Sequence, residues 1–137
     1  MNFENKIAII VKNDLLNWQK LNVASFLASS VAINFPETHG KPFINASQSE
    51  YLPFIKQPIL IYKADDQPQM DRVFSRAKER NLSIGIYPYS LFSTKNEEQN
   101  HLEMSKLTDD CSSLVGIVIY GENKKVNKAL DGLMFHS

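Results

Sequence analysis

Six residues of this chain have the types and the spacing to take part in chemistry: Lys12, Asn13 and Asp14 in an unbroken run, Lys20 and Asn22 shortly after, and Thr94 much further along. They bring two cations, a carboxylate, two amides and a hydroxyl. Beside a helix amino terminus, whose N–H groups and dipole favour negative charge, such a set suits a small polar or anionic ligand. It holds no nucleophile with a base beside it, which covalent catalysis would require. The same residues also have a purely structural use. Asp14 can charge a helix start, Asn13 can form a turn, Lys12 and Lys20 can sit in solvent, and Thr94 can cap a helix.

Other chemistry-bearing residues offer less. His39, His101 and His136 are far apart and lack metal-ligand spacing, so no structural metal and no cofactor are expected. Arg72, Arg76, Lys78 and Arg80 form a basic helix surface, but Asp71 and Glu79 interrupt it, which is the pattern of a solvated face. Trp18 and Phe26 are expected in the core rather than as a base-stacking pair. No Gly-rich phosphate loop and no Gly-x-Ser-x-Gly elbow occurs. The 15 basic and 15 acidic side chains cancel, which disfavours nucleic acid and anionic membrane as partners. The lone Cys111 cannot close an internal disulfide and suits a reducing compartment. No signal-type segment opens the sequence and no apolar run approaches about eighteen residues, so a cytoplasmic location is expected.

The elements that must position these residues are legible from periodicity. A chain of 137 residues, 43% of them hydrophobic, suits one domain over residues 1–137. The run Ile7 to Val11 is a strand, Lys12 to Leu15 a loop, and a helix follows from Trp18 with Asn17 as its N-cap. Leu21, Ala24, Ala28 and Val31 share one stripe of that helix, widened by Val23, Phe26 and Leu27. Asn34 to Gln57 holds Pro36, Gly40, Pro42 and Pro53 and reads as mostly loop with one short helical turn, either a lid over the site or a segment packed on the surface. Pro58 to Tyr62 is a second strand. Asp65 or Asp66 with Pro68 opens a helix whose face is Met70, Val73, Phe74 and Ala77, stopped by Asn81. Leu82, Ile84 and Ile86 alternate as a third strand ended by Pro88, which predicts a parallel pair with a right-handed crossover. Thr94 to Glu97 has the capping-box form and opens a polar helix toward Lys106, with Thr94 and Asn96 near the same sheet end as Lys12. Leu114 to Tyr120, apolar on both alternating faces, is a central strand ended by Gly121, and Val126, Ala129 and Leu130 mark a last helix stopped by Gly132.

The run Lys6 to Leu15 with its helix, and the order of later elements, resemble the type II peptidyl-tRNA hydrolases. Trp18-Gln19-Lys20-Leu21-Asn22, Leu91-Phe92-Ser93-Thr94, Gly132-Leu133 and His136 resemble more closely an uncharacterised family, domain of unknown function number two thousand, related to those hydrolases in fold. The resemblance implies an α/β fold, a three-layer α/β/α sandwich around a four-stranded mixed sheet in order 2143 with strand 4 antiparallel. The hydrolases' helix carries a lysine, a glutamine and a histidine at positions that fall on Leu21, Ser25 and Ala28, and their acidic residue after the third strand falls near Tyr89. None of these is retained. Lys20 stands one residue from the lysine position, a rotation of about 100° at 3.6 residues per turn.

Three readings follow. The first is a binding or regulatory domain that takes a small polar or anionic ligand at the carboxyl end of the parallel strands through Lys12, Asn13, Asp14, Lys20, Asn22 and Thr94. The second is a hydrolase of peptidyl-tRNA or another ester. The third is a non-enzymatic protein that forms a homodimer through the apolar surface near Phe43, Tyr51, Leu52, Phe54 and Ile55.

Overall fold

Apolar side chains alternate to both faces of the first strand, and the chain buries both. In a computed structural model that describes residues 3–110 and 113–137, β1 (Asn5–Lys12) sends Ala8 and Ile10 into one core and Ile7, Ile9 and Val11 into another. Cys111, with Met1 and Asn2, lies outside the described residues. Helix α1 (Asn17–Asn34) covers the Ile7 face, burying Val23, Leu27 and Val31. The short segment Phe43–Ile44 (β2) pairs antiparallel with Glu50–Tyr51 (β3) as a separate hairpin. Then β4 (Ile59–Ala64) lies parallel to β1, and α2 (Gln67–Glu79) covers the opposite face with Met70, Val73 and Ala77. The chain continues through β5 (Ser83–Pro88), α3 (Glu97–Ser105), β6 (Leu114–Glu122), α4 (Asn123–Leu130) and β7 (Met134–Phe135). Val126, Ala129 and Leu130 of α4 join α2 on its face.

The sheet is mixed, but it has five strands in the order β5-β6-β1-β4-β7, not four in the order 2143. The added edge is β7, where Tyr62 pairs with Phe135 and Lys63 with Met134. A two-residue strand carries no periodicity of its own, so its pairing exists only in the folded chain. The second and third strands run parallel, as expected, but are not neighbours. β4 and β5 do not touch in the sheet, because β1 and β6 stand between them, with β6 antiparallel to both β1 and β5.

Segment 34–57 is neither a bare loop nor a lid over the expected site. A 3-10 turn, Pro36–Thr38, follows α1, and the β2–β3 hairpin follows that turn. The segment is tied to the amino ends of the parallel strands, away from their carboxyl ends. Gln57 Nε2 donates to the Asn5 carbonyl (2.9 Å) and the Tyr120 hydroxyl to Glu37 Oε2 (3.0 Å), while Lys56 N donates to the Thr38 carbonyl (2.9 Å) within the segment.

Of the residues expected on the packed face of α1, Val23, Leu27 and Val31 are buried and Leu21 and Phe26 are exposed. The buried line runs Gln19, Val23, Leu27 and Val31, at intervals of four, while Leu21 is 70% exposed. Gly116 and Gly85 set this line, since they let the helix lie close against β6 and β5. A Cβ on Gly85 would stand 3.0 Å from Ser30 Oγ of α1, and one on Gly116 would collide with Val23.

Candidate functional site

The carboxyl ends of β1, β4 and β5 lie at one end of the sheet, because β5 and β1 both run antiparallel to β6 and β4 runs parallel to β1. Three connections therefore meet there: the loop into α1, the Asp65-Asp66 turn into α2, and a 3-10 turn, Tyr89–Ser93, that leads to α3. In open α/β sheets this end is where ligands bind.

The residues expected to form one site divide between the two sides of the first turns of α1. On the β4 side stand Lys12, Asn13, Asp14 and Lys20. Asn13 N donates to the Ala64 carbonyl (2.9 Å), which fixes the loop on the end of β4. Its side chain then links Lys20 Nζ (3.5 Å) to Asp65 Oδ1 (3.4 Å), while Lys12 Nζ lies 3.7 Å from Asp14 Oδ1. These are long contacts, weaker than well-formed hydrogen bonds. Asp65 joins this group through Asn13, although nothing in its sequence position marks it as a site residue. With it, two carboxylates face two ammonium groups and no net positive charge is left for an anion.

On the β5 side stand Asn22 and Thr94, and they line a cleft of about 490 Å³. One wall is the outer face of α1, on which Trp18, Asn22, Phe26 and Ser30 recur every four residues and so share a face. The other wall comes from the end of β5 and the turn beyond it. Phe92 is the hinge of the aromatic lining: its ring centroid is 5.7 Å from Trp18, 5.2 Å from Tyr87 and 5.4 Å from Tyr89, and Tyr87 in turn is 6.2 Å from Phe26. Trp18 and Phe26, expected in the core, are 52% and 59% exposed as cleft walls. They fall outside the buried line of α1. Burial pushes the Tyr87 hydroxyl above its ordinary value of 10.0, so it stays protonated at neutral pH. A register shift follows Tyr87, where Gly116 pairs with Tyr87 and Leu114 with Pro88, so a bulge bends the sheet beside the cleft.

Amides, small polar groups and two opposite charges, Lys95 and Glu97, make the rim. Thr94 does not form the expected capping box with Glu97. Its hydroxyl donates to the Leu91 carbonyl (2.8 Å) and meets the Asn100 side chain, closing the 3-10 turn. Asn96 is the N-cap of α3 instead, accepting from Gln99 N (2.9 Å). The expected Asn17 cap on α1 is also replaced: Leu16 is the N-cap residue, and its amide donates to Gln19 Oε1 (3.0 Å). Asp66 caps α2, as one of the two expected residues.

No histidine lines the cleft. His39 bonds the Ala32 carbonyl, His101 pairs with Glu97 at 3.5 Å, and His136 Nδ1 meets the Ser137 carbonyl at 3.0 Å. Among the described residues no three His, Cys, Asp or Glu side chains are grouped to hold a metal ion, and no helix is long and apolar enough to cross a membrane. The sequence signals for the cleft were the four-residue repeat from Trp18 and the spacing Tyr87, Tyr89, Phe92.

Residues 5–137 match a family model described as "Protein of unknown function (DUF2000)". Thirteen chains of solved structure match. One is a protein of unknown function from Agrobacterium tumefaciens, 31% identical, with a TM-score of 0.95 over 99% of this chain and 100% of that one. No curated protein matches the chain.

Proposed function

The chain belongs to the DUF2000 family of proteins of unknown function, and on that footing we propose that it is a binding domain for a small ligand with a flat apolar part and hydrogen-bonding edges, held in the aromatic cleft. The observation behind this reading is the cleft's composition. Trp18, Phe26, Tyr87 and Phe92 offer ring faces and edges to a planar group, and Asn22, Asn96 and Asn100 offer both donors and acceptors around it. The ligand is polar at its edges rather than strongly anionic, since the two charged residues that line the cleft, Lys95 and Glu97, are opposite in sign. The likeness to the type II peptidyl-tRNA hydrolases belongs to this reading as fold analogy, which does not fix an activity. For a hydrolase the cleft supplies no histidine, and its Thr94 hydroxyl is engaged by Leu91 and Asn100.

Trp18 is the single tryptophan of the chain and stands in the cleft wall, so its fluorescence reports on occupancy directly. A panel of planar polar compounds, including nucleosides and aromatic amides, is to be titrated against the protein. Phe92→Ala is expected to weaken any compound that quenches Trp18 by about tenfold or more, the equivalent of about 1.4 kcal/mol. Lys20→Ala is expected to leave it within about twofold. Compounds that bind equally well to Phe92→Ala and Asn22→Ala would remove the cleft as the site. Peptide release from peptidyl-tRNA that Lys20→Ala abolishes would overturn the binding reading in favour of hydrolysis.

A further inference from the structure

We propose that the Tyr87 hydroxyl is the hydrogen-bond donor that selects the ligand of the aromatic cleft, so that what binds there is a flat ring with a neutral acceptor in its own plane, a ring nitrogen or a carbonyl oxygen. This rests on the cleft reading above and narrows it to a chemical class.

Three hydroxyl groups belong to residues that line the cleft, those of Ser30, Tyr87 and Thr94. Two of them are already committed. Ser30 Oγ donates to the Leu27 carbonyl (2.7 Å) and Thr94 Oγ1 to the Leu91 carbonyl (2.8 Å), bonds internal to α1 and to the Tyr89–Ser93 turn. Tyr87 has no such partner among the described residues, and burial alone acts on its proton. The buried Tyr120 differs, since its hydroxyl donates to Glu37 Oε2 (3.0 Å), and Tyr62 lies on the opposite face of the sheet.

Only 7% of Tyr87 is exposed, so its donor is largely withdrawn from water and receives no bond from the fold in return. A withdrawn donor without a partner is disfavoured, and a ligand that supplies the acceptor removes that cost. The hydroxyl is not sealed off. Among the described residues His136 Nε2 is the one side-chain polar atom both closed to solvent and unpartnered, so the access that Tyr87 keeps is onto the cleft it lines.

The packing of the ring decides the form of the acceptor. Phe26 and Phe92 flank the Tyr87 ring, with centroids 6.2 Å and 5.2 Å away and planes tilted by 36° and 47°. A flat ligand against these rings uses its faces for the aromatic walls and meets the hydroxyl at its rim. There an sp² nitrogen or a carbonyl oxygen holds its lone pairs in the plane of the ring.

Quinoline and naphthalene share size and flatness and differ by one ring nitrogen, and equilibrium dialysis gives the affinity of each for the wild type, Tyr87→Phe and Phe92→Ala. From wild type to Tyr87→Phe the ratio of quinoline to naphthalene affinity is expected to fall about fivefold, the worth of one neutral hydrogen bond, with naphthalene held as before. Without ligand, Tyr87→Phe should melt at or above the wild-type midpoint, because it removes a donor that the fold leaves unused. An unchanged ratio, or a wild type that holds no quinoline, overturns the inference. So does a lowered midpoint, which would give the hydroxyl a partner inside the fold. An unchanged ratio with both compounds weakened in Phe92→Ala keeps the cleft and removes only Tyr87 as the selecting donor, whereas quinoline held equally by Phe92→Ala removes the cleft as its site.

Discussion

Gly116 shows how one atom sets the geometry of the site. A methyl group there would run into Val23, so Gly116→Ala must push α1 outward or force Val23 off its rotamer. Overpacking of this kind costs about 1–3 kcal/mol, to be read as a lowered urea midpoint, and the same displacement should reduce ligand quenching of Trp18. Asp66→Ala is a local counterpart, expected to cost about 1 kcal/mol through the lost Gln69 amide bond and to leave the cleft unchanged. Legibility in the sequence follows the same division. Asp66 was readable because a cap depends on its own next three residues. The phase of α1 was only partly readable: Val23, Leu27 and Val31 stood in the expected face, but so did Leu21, and the glycines of β5 and β6 beneath the helix decide which of them face inward.

At the scale of elements, α3 gives the clearest test. It buries no residue, so its order rests on its ends, and the structure assigns its N-cap to Asn96. Asn96→Ala should raise amide hydrogen exchange across the first turn, at Gln99 above all, with little change in the global unfolding midpoint. Thr94→Ala should disturb the Tyr89–Ser93 turn instead, through the lost bond to Leu91. A result that exchanged these two roles would restore the capping box expected from the sequence. The long strands were legible because residues such as Ile7 to Val11 and Leu114 to Tyr120 are apolar on both faces. β2, β3 and β7 have two residues each, too few for alternation to be seen, and only partners distant in sequence create them. The cleft was hidden for a related reason: its two walls come from segments some seventy residues apart, and it lies on the far side of α1 from the run Lys12 to Asp14.

For the whole molecule, pH should act mainly through tyrosine at the alkaline end. Burial raises the hydroxyls of Tyr62, Tyr87 and Tyr120 above their ordinary 10.0; at Tyr120 the Glu37 carboxylate adds to the shift and Asn5 opposes it. Folded and unfolded chains are both protonated below that value. Above it the unfolded chain ionises first, so the stability these groups hold is complete below about pH 10 and falls as pH rises further. Thermal midpoints recorded from about pH 8 to 11 should decline beyond about 10, and less steeply in Tyr120→Phe. The short β7 acts at the same scale. Its backbone occupies the outer edge of β4, where His136 N donates to the Ile61 carbonyl (2.9 Å) and Phe135 stacks on Tyr62. Without those few residues, β4 would offer a row of open donors and acceptors next to an exposed isoleucine, a template on which other chains could add as strands. β7 is thus a guard against aggregation, and shortening the chain before Met134 should be seen first as turbidity on warming, not as a lost fold.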